Sequence, residues 1–100
     1  MIMKDKILKY YIEEKKVTAV VANVLSKKLL KYEDIAAEFS LYLDRRNFDF
    51  ENPVEIEGYT AKKLSEIAPL DAAGVYAFMV TLRDDKEKAL DTIKKGFPRK

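Results

Sequence analysis

Between Thr18 and Arg46 the apolar positions form one long stripe. Ala22, Leu25, Leu29, Tyr32, Ala36, Phe39 and Leu43 follow one another at alternating steps of three and four residues, the repeat of a helix with one buried face. Val21, Ile35 and Tyr42 flank the stripe and widen it beyond a strict coiled-coil seam. Thr18 is placed to cap the start. No Gly or Pro interrupts the run. The pattern predicts a single heptad-patterned helix, straight or kinked, roughly 43 Å long at 1.5 Å per residue. A domain of this size has a diameter of only about 30–35 Å. The helix must therefore break near residues 31–34 or project and meet a partner. The projecting form makes Leu25, Leu29, Tyr32, Phe39 and Leu43 the candidate interaction residues, with a homo-oligomer, a dimer first, or another protein covering them.

Upstream, Ile7, Leu8, Tyr11 and Ile12 lie on one face of a helix predicted over Asp5–Glu14, with a turn at Lys15 and Lys16. Downstream the period changes. Phe48 and Phe50, then Val54 and Ile56, alternate with polar residues, which suits a short extended connector over about 48–58. Asn52-Pro53 is a turn signal inside it, and Gly58 permits a tight turn into the next helix. Glu51, Glu55 and Glu57 make a small acidic rim on this connector.

The C-terminal half predicts three shorter helices. Thr60 caps a helix over Ala61–Ala68 whose Leu64, Ile67 and Ala68 face inward, and Pro69 ends it. Asp71 caps a second, with Val75, Phe78, Met79 and Leu82 as its inner stripe. Asp84 and Glu87 have the spacing of a capping box for a third, which runs to about Lys95 with Ala89, Leu90 and Ile93 inward. Gly96-Phe97-Pro98 is a stop signal. Gly96 should take positive φ and Phe97 should fold back on the core. The whole reads as an all-α single domain, a small helical bundle of about five helices.

Residues 59–83 have the outline of a helix-turn-helix, which raises a DNA-binding reading with Lys62, Lys63 and Arg83 as nucleic-acid contacts. The details weigh against it. A reading helix offers Arg, Lys, Asn or Gln near its N-terminus, whereas this one begins Asp71-Ala72-Ala73-Gly74-Val75-Tyr76. Tyr59, Tyr76 and Phe78 could stack on bases, but at helical spacing they read as core. The net charge of +2 is spread over both halves with no basic stripe. The basic tail, Lys94 to Lys100, complements a helix C-terminus as readily as it would meet an anionic partner.

The composition narrows the chemistry. Hydrophobic residues make up 48% of the 100 residues, enough for a core, and charged residues 36%. With Cys and His both absent, thiolate or imidazole metal sites and the usual neutral-pH base are missing. Glu33, Asp34 and Glu38 show no pattern that would bury a carboxylate for acid–base work, and no phosphate loop or nucleophile elbow occurs. The reading is a non-enzyme with no cofactor and no metal. The charged start has no leader-like apolar segment. The apolar run at residues 72–80 is about half what a bilayer span requires. A cytoplasmic location without membrane attachment is expected.

The stretch VEIEGYTAKKLSEIAPLDAAGVYAFMVTLRDDKEKALDTIKKGFPRK, with KYEDIAAEFSLYL before it, resembles small uncharacterised proteins of gut Firmicutes of about this length, associated with mobile-element accessory genes. The resemblance implies a regulatory or DNA-linked setting. It carries no assigned activity and no site residues.

Overall fold

A computed structural model describes residues 2–49 and 55–97. Among them the regular structure is all helical: α1 (Met3–Lys9), a π-helical turn (Tyr10–Glu14), α2 (Ala19–Leu30), α3 (Glu33–Arg45), α4 (Ala61–Ile67), α5 (Ala72–Asp84) and α6 (Lys86–Lys94). The centre is α5, where nine residues, Ala73 to Val75 and Ala77 to Leu82, are buried. A helix that is apolar on nearly every face must be enclosed. Accordingly, α3, α4 and α6 all pack against α5, while α1 and α2 close over α3.

The long stripe forms two helices, broken near residues 31–34, which is one of the two outcomes its length allowed. α2 ends at Leu30, and Tyr32 leaves the helical region at φ −104°, ψ 77°. The Tyr32 amide donates to the Leu29 carbonyl at 3.0 Å, and its own carbonyl receives the Ala36 amide at 2.8 Å, so each helix keeps a satisfied end. The molecule measures 35 × 30 × 24 Å, shorter than an unbroken helix of roughly 43 Å. Breaking at Tyr32 lets both halves of the stripe face one core. That break also raises the number of α-helices from the expected five to six among the described residues.

The first helix is also altered. At Tyr10 the bonding shifts from i→i+4 to i→i+5, with the Lys15 amide donating to the Tyr10 carbonyl at 3.2 Å. The wider turn changes the register. Tyr10 and Tyr11 are both buried, whereas Ile12, expected inside, is 42% exposed. Lys16 closes the turn at φ 57°. Ile67 likewise turns outward, leaving Leu64 and Ala68 as the buried residues of its segment.

The caps follow the sequence closely. Thr18, Thr60 and Asp71 each accept the amide three residues on, at 3.3, 3.1 and 3.1 Å. The exception is α6, where the cap is Asp85, accepting from the Lys88 amide at 3.3 Å, and not Asp84. Asp84 is drawn away by its neighbour Arg83, whose Nε lies 2.6 Å from its carboxylate. The α6 stop has the expected form: Gly96 has φ 77° and Phe97 is buried. The Gly96 amide donates to Ile93 and the Phe97 amide to Thr92, at 3.0 and 3.1 Å, the paired bonds of a Schellman motif. Phe97 itself also has positive φ.

Part of the connector is described. Phe48 and Ile56 are half-buried against the core. Ile56 and Tyr59 exchange both backbone hydrogen bonds, at 3.0 and 2.9 Å, around Glu57 and Gly58. Both central residues have positive φ, as an I′ turn requires. Phe50, Glu51, Asn52-Pro53, Val54 and Pro98 lie outside the described residues, as does the end of the basic tail.

Candidate functional site

The predicted interaction residues line the inside of the monomer. Leu29 and Phe39 are fully buried, and Leu25, Tyr32 and Leu43 are half-buried against the same core. The stripe is therefore the surface on which α2 and α3 meet the rest of the chain, and not the surface a partner would cover. Val21, expected at its flank, is 43% exposed.

The exposed apolar face of α2 is its opposite one. Val20 is 75% and Val24 49% exposed. At 100° per residue, Val20, Val21 and Val24 share a side of the helix with Lys27, Lys28 and Lys31, one to three turns further on. All three lysines are exposed, and none forms an ion pair among the described residues. No carboxylate occurs between Glu14 and Glu33. The outer face of α2 is thus apolar in its first half and basic in its second. On α3 the exposed residues are Glu33, Asp34, Ala37, Leu41, Asp44 and Arg45, with Leu41 at 41%. That face runs from acidic to apolar in the chain direction before ending in a mixed pair.

A second feature joins the π-turn to α3 and α5. The Tyr11 hydroxyl donates to Asp71 Oδ2, while Asp71 Oδ1 caps α5 through the Gly74 amide. Burial, the bond to Asp71 and the neighbouring charge all push the Tyr11 phenol above its usual range. Tyr10 is pushed the same way, first by burial and then by the nearby Tyr76, Glu14, Asp71 and Tyr42. Its hydroxyl is buried without a hydrogen-bond partner among the described residues. Arg46, left-handed at the end of α3, donates to both Glu14 carboxylate oxygens from its two terminal guanidinium nitrogens, Nη1 and Nη2. This hydrogen bonding holds the Glu14 carboxyl below its ordinary value. Two shallow clefts of about 310 and 300 Å³ flank the Glu14–Arg46 pair, the second walled by Tyr10, Tyr42, Phe48 and Tyr76. The phenols stay protonated far above neutrality and Glu14 stays ionised well below it. These groups bind the elements together and offer no proton exchange near pH 7.

The helix-turn-helix contacts lie apart. Lys62 and Lys63 are exposed on α4, with Lys63 Nζ donating to the Gly58 carbonyl at 3.2 Å. Arg83 donates to the Asn47 carbonyl at 2.6 Å and covers the Phe48 ring at 5.0 Å, so it anchors the connector. The helix that would read DNA is α5, the most enclosed element. No helix among the described residues is long and apolar enough to cross a membrane.

Sequence reasoning missed the Val20–Val24 face because the inner stripe was the stronger periodicity. The signal was present as valines at i, i+1 and i+4 continuing into lysines at i+7, i+8 and i+11. Comparison with protein-family models, curated proteins and solved structures finds no match to this chain.

Proposed function

We propose that the chain is a non-catalytic helical interaction module that binds a protein partner through the outer face of α2. The observation that carries this reading is the exposure of Val20, Val21 and Val24 together on one helix, beside lysines that form no ion pair among the described residues. Such a face costs solubility unless it is covered. The DNA-binding alternative is less well supported, because its reading helix is enclosed by α3, α4 and α6.

A photo-crosslinking side chain at position 24, used in the native host, tests the proposal. It should capture a defined protein, and the purified partner should bind the isolated chain directly. Val20→Glu with Val24→Glu should weaken that binding at least tenfold while leaving the melting temperature unchanged. A partner that binds the double variant as well as wild type places the interface elsewhere and removes the proposal.

A further inference from the structure

We infer that the partner is a second copy of this chain, with the outer face of α2 lying antiparallel on the outer face of α3. This rests on the reading of α2 as an interface and names what covers it. The two faces are complementary in order as well as in kind. Going along α2, valines at 20, 21 and 24 precede lysines at 27, 28 and 31; going along α3, Glu33 and Asp34 precede Ala37 and Leu41. Only the antiparallel arrangement sets apolar against apolar and basic against acidic.

The spacing agrees. Val20 to Lys28 and Glu33 to Leu41 each span eight residues, about 12 Å of helix. With Val20 opposite Leu41, Val24 falls opposite Ala37, and Lys27 and Lys28 fall opposite Asp34 and Glu33. The small Ala37 lets the two backbones approach where the branched Val24 needs room. The outer residues on both sides are exposed in the monomer, so docking requires no rearrangement of the core. Joined the other way, parallel, the seam would set the valines against Glu33 and Asp34 and leave the lysines facing Leu41.

A seam one short helix long buries less than the ~1,200 Å² of a stable interface. Association should therefore be weak and salt-sensitive, since it depends on exposed ion pairs. Because the α2–α3 contact is heterologous, one seam leaves an α2 and an α3 face unused. Sedimentation equilibrium from about 10 µM to about 1 mM, the scale of weak affinities, should therefore show the average mass rising above 11.6 kDa, and less so in high salt.

The decisive arm is a charge swap. Lys27→Glu with Lys28→Glu should be monomeric alone, as should Glu33→Lys with Asp34→Lys. An equimolar mixture of the two should associate again, because every α2–α3 seam then pairs opposite charges. Circular dichroism establishes that each variant is folded. Val24→Glu mixed with Ala37→Lys applies the same test at mid-helix positions, free of any effect on the α3 N-terminus. Wild type that stays monomeric throughout, or mixtures that fail to restore association, overturn the inference. If wild type is monomeric while position 24 crosslinks to a different protein, the second-copy inference fails and the interaction reading stands. If position 24 crosslinks to nothing, both fail.

Discussion

Asp71 ties the two halves of the chain together, and replacing it gives a sharp test of the packing. One carboxylate oxygen caps α5 and the other receives the buried Tyr11 hydroxyl from the π-turn, 60 residues away. Asp71→Ala removes the cap, worth about 1 kcal/mol. It also strands the Tyr11 hydroxyl, and an unsatisfied buried donor costs about 1–3 kcal/mol. The sum is about 2–4 kcal/mol, equivalent to a fall in Tm of roughly 8–30 °C at about 4–8 °C per kcal/mol for a domain of this size. Tyr11→Phe should cost only about 1 kcal/mol, because Asp71 is half-buried and can turn to water. In the double variant no donor is left stranded, so its cost should fall short of the sum of the singles by about 1–2 kcal/mol. Urea unfolding of the four proteins measures this coupling. Additive costs, or a Tyr11→Phe loss as large as that of Asp71→Ala, would refute the argument.

Three further outcomes follow from the α6 stop and the Glu14–Arg46 pair. Gly96→Val should destabilise the domain by about 1 kcal/mol or more, since a β-branched residue must adopt the left-handed C′ geometry. Phe97→Ala should cost a further 1–3 kcal/mol, roughly, by removing a ring that packs 5.0 Å from Phe78; equal melting temperatures would show that the end of α6 is not docked. Glu14 has its folded pKa depressed, chiefly by hydrogen bonding to Arg46. Its stabilising contribution is therefore complete above the unfolded value of about 4.3 and is lost as pH falls through the folded value. Glu14→Gln should flatten the acid limb of the stability curve only slightly, because both partners are more than 40% exposed; an unchanged or steeper limb contradicts the pairing.

Local signals in the sequence were accurate where the deciding chemistry was local. Thr18, Thr60 and Asp71 cap helices because a short side-chain oxygen reaches the amide three residues on, and the fold need not be known to see it. Gly96 and Phe97 are legible for the same reason. Asp84 shows the limit, since its spacing to Glu87 suited a cap but the adjacent Arg83 claimed its carboxylate and left the cap to Asp85. The π-turn had no local signature. Nothing in Tyr10-Tyr11-Ile12 dictates a widened turn, and burying both tyrosines against Phe39 and Asp71 decides it.

The long stripe left open whether it was one helix or two broken near residues 31–34, for a physical reason. A 3–4 repeat reports that successive residues face one apolar environment, and two helices joined by a short break satisfy it as well as one continuous helix does. With Tyr32 as the joint, Leu29 and Phe39 can both reach the core, and the 3–4 count runs through the break undisturbed. Continuity and burial are separate properties, and only burial was encoded. The same distinction governs the candidate interface. Periodicity marks the face that a chain uses for itself, so the face left for a partner must be sought on the other side of the same helix. On α2 that side holds Val20 and Val24, too exposed to support the monomer and too apolar to be a solvated surface by design. The aliphatic positions of α3 that would meet them, Ala37 and Leu41, fall outside the inner stripe in the same way. Acids at the start of α3 and lysines at the end of α2 also complement each helix's own dipole, so the part of these faces that points beyond the monomer is the exposed apolar set, Val20 and Val24 on α2 and Leu41 on α3.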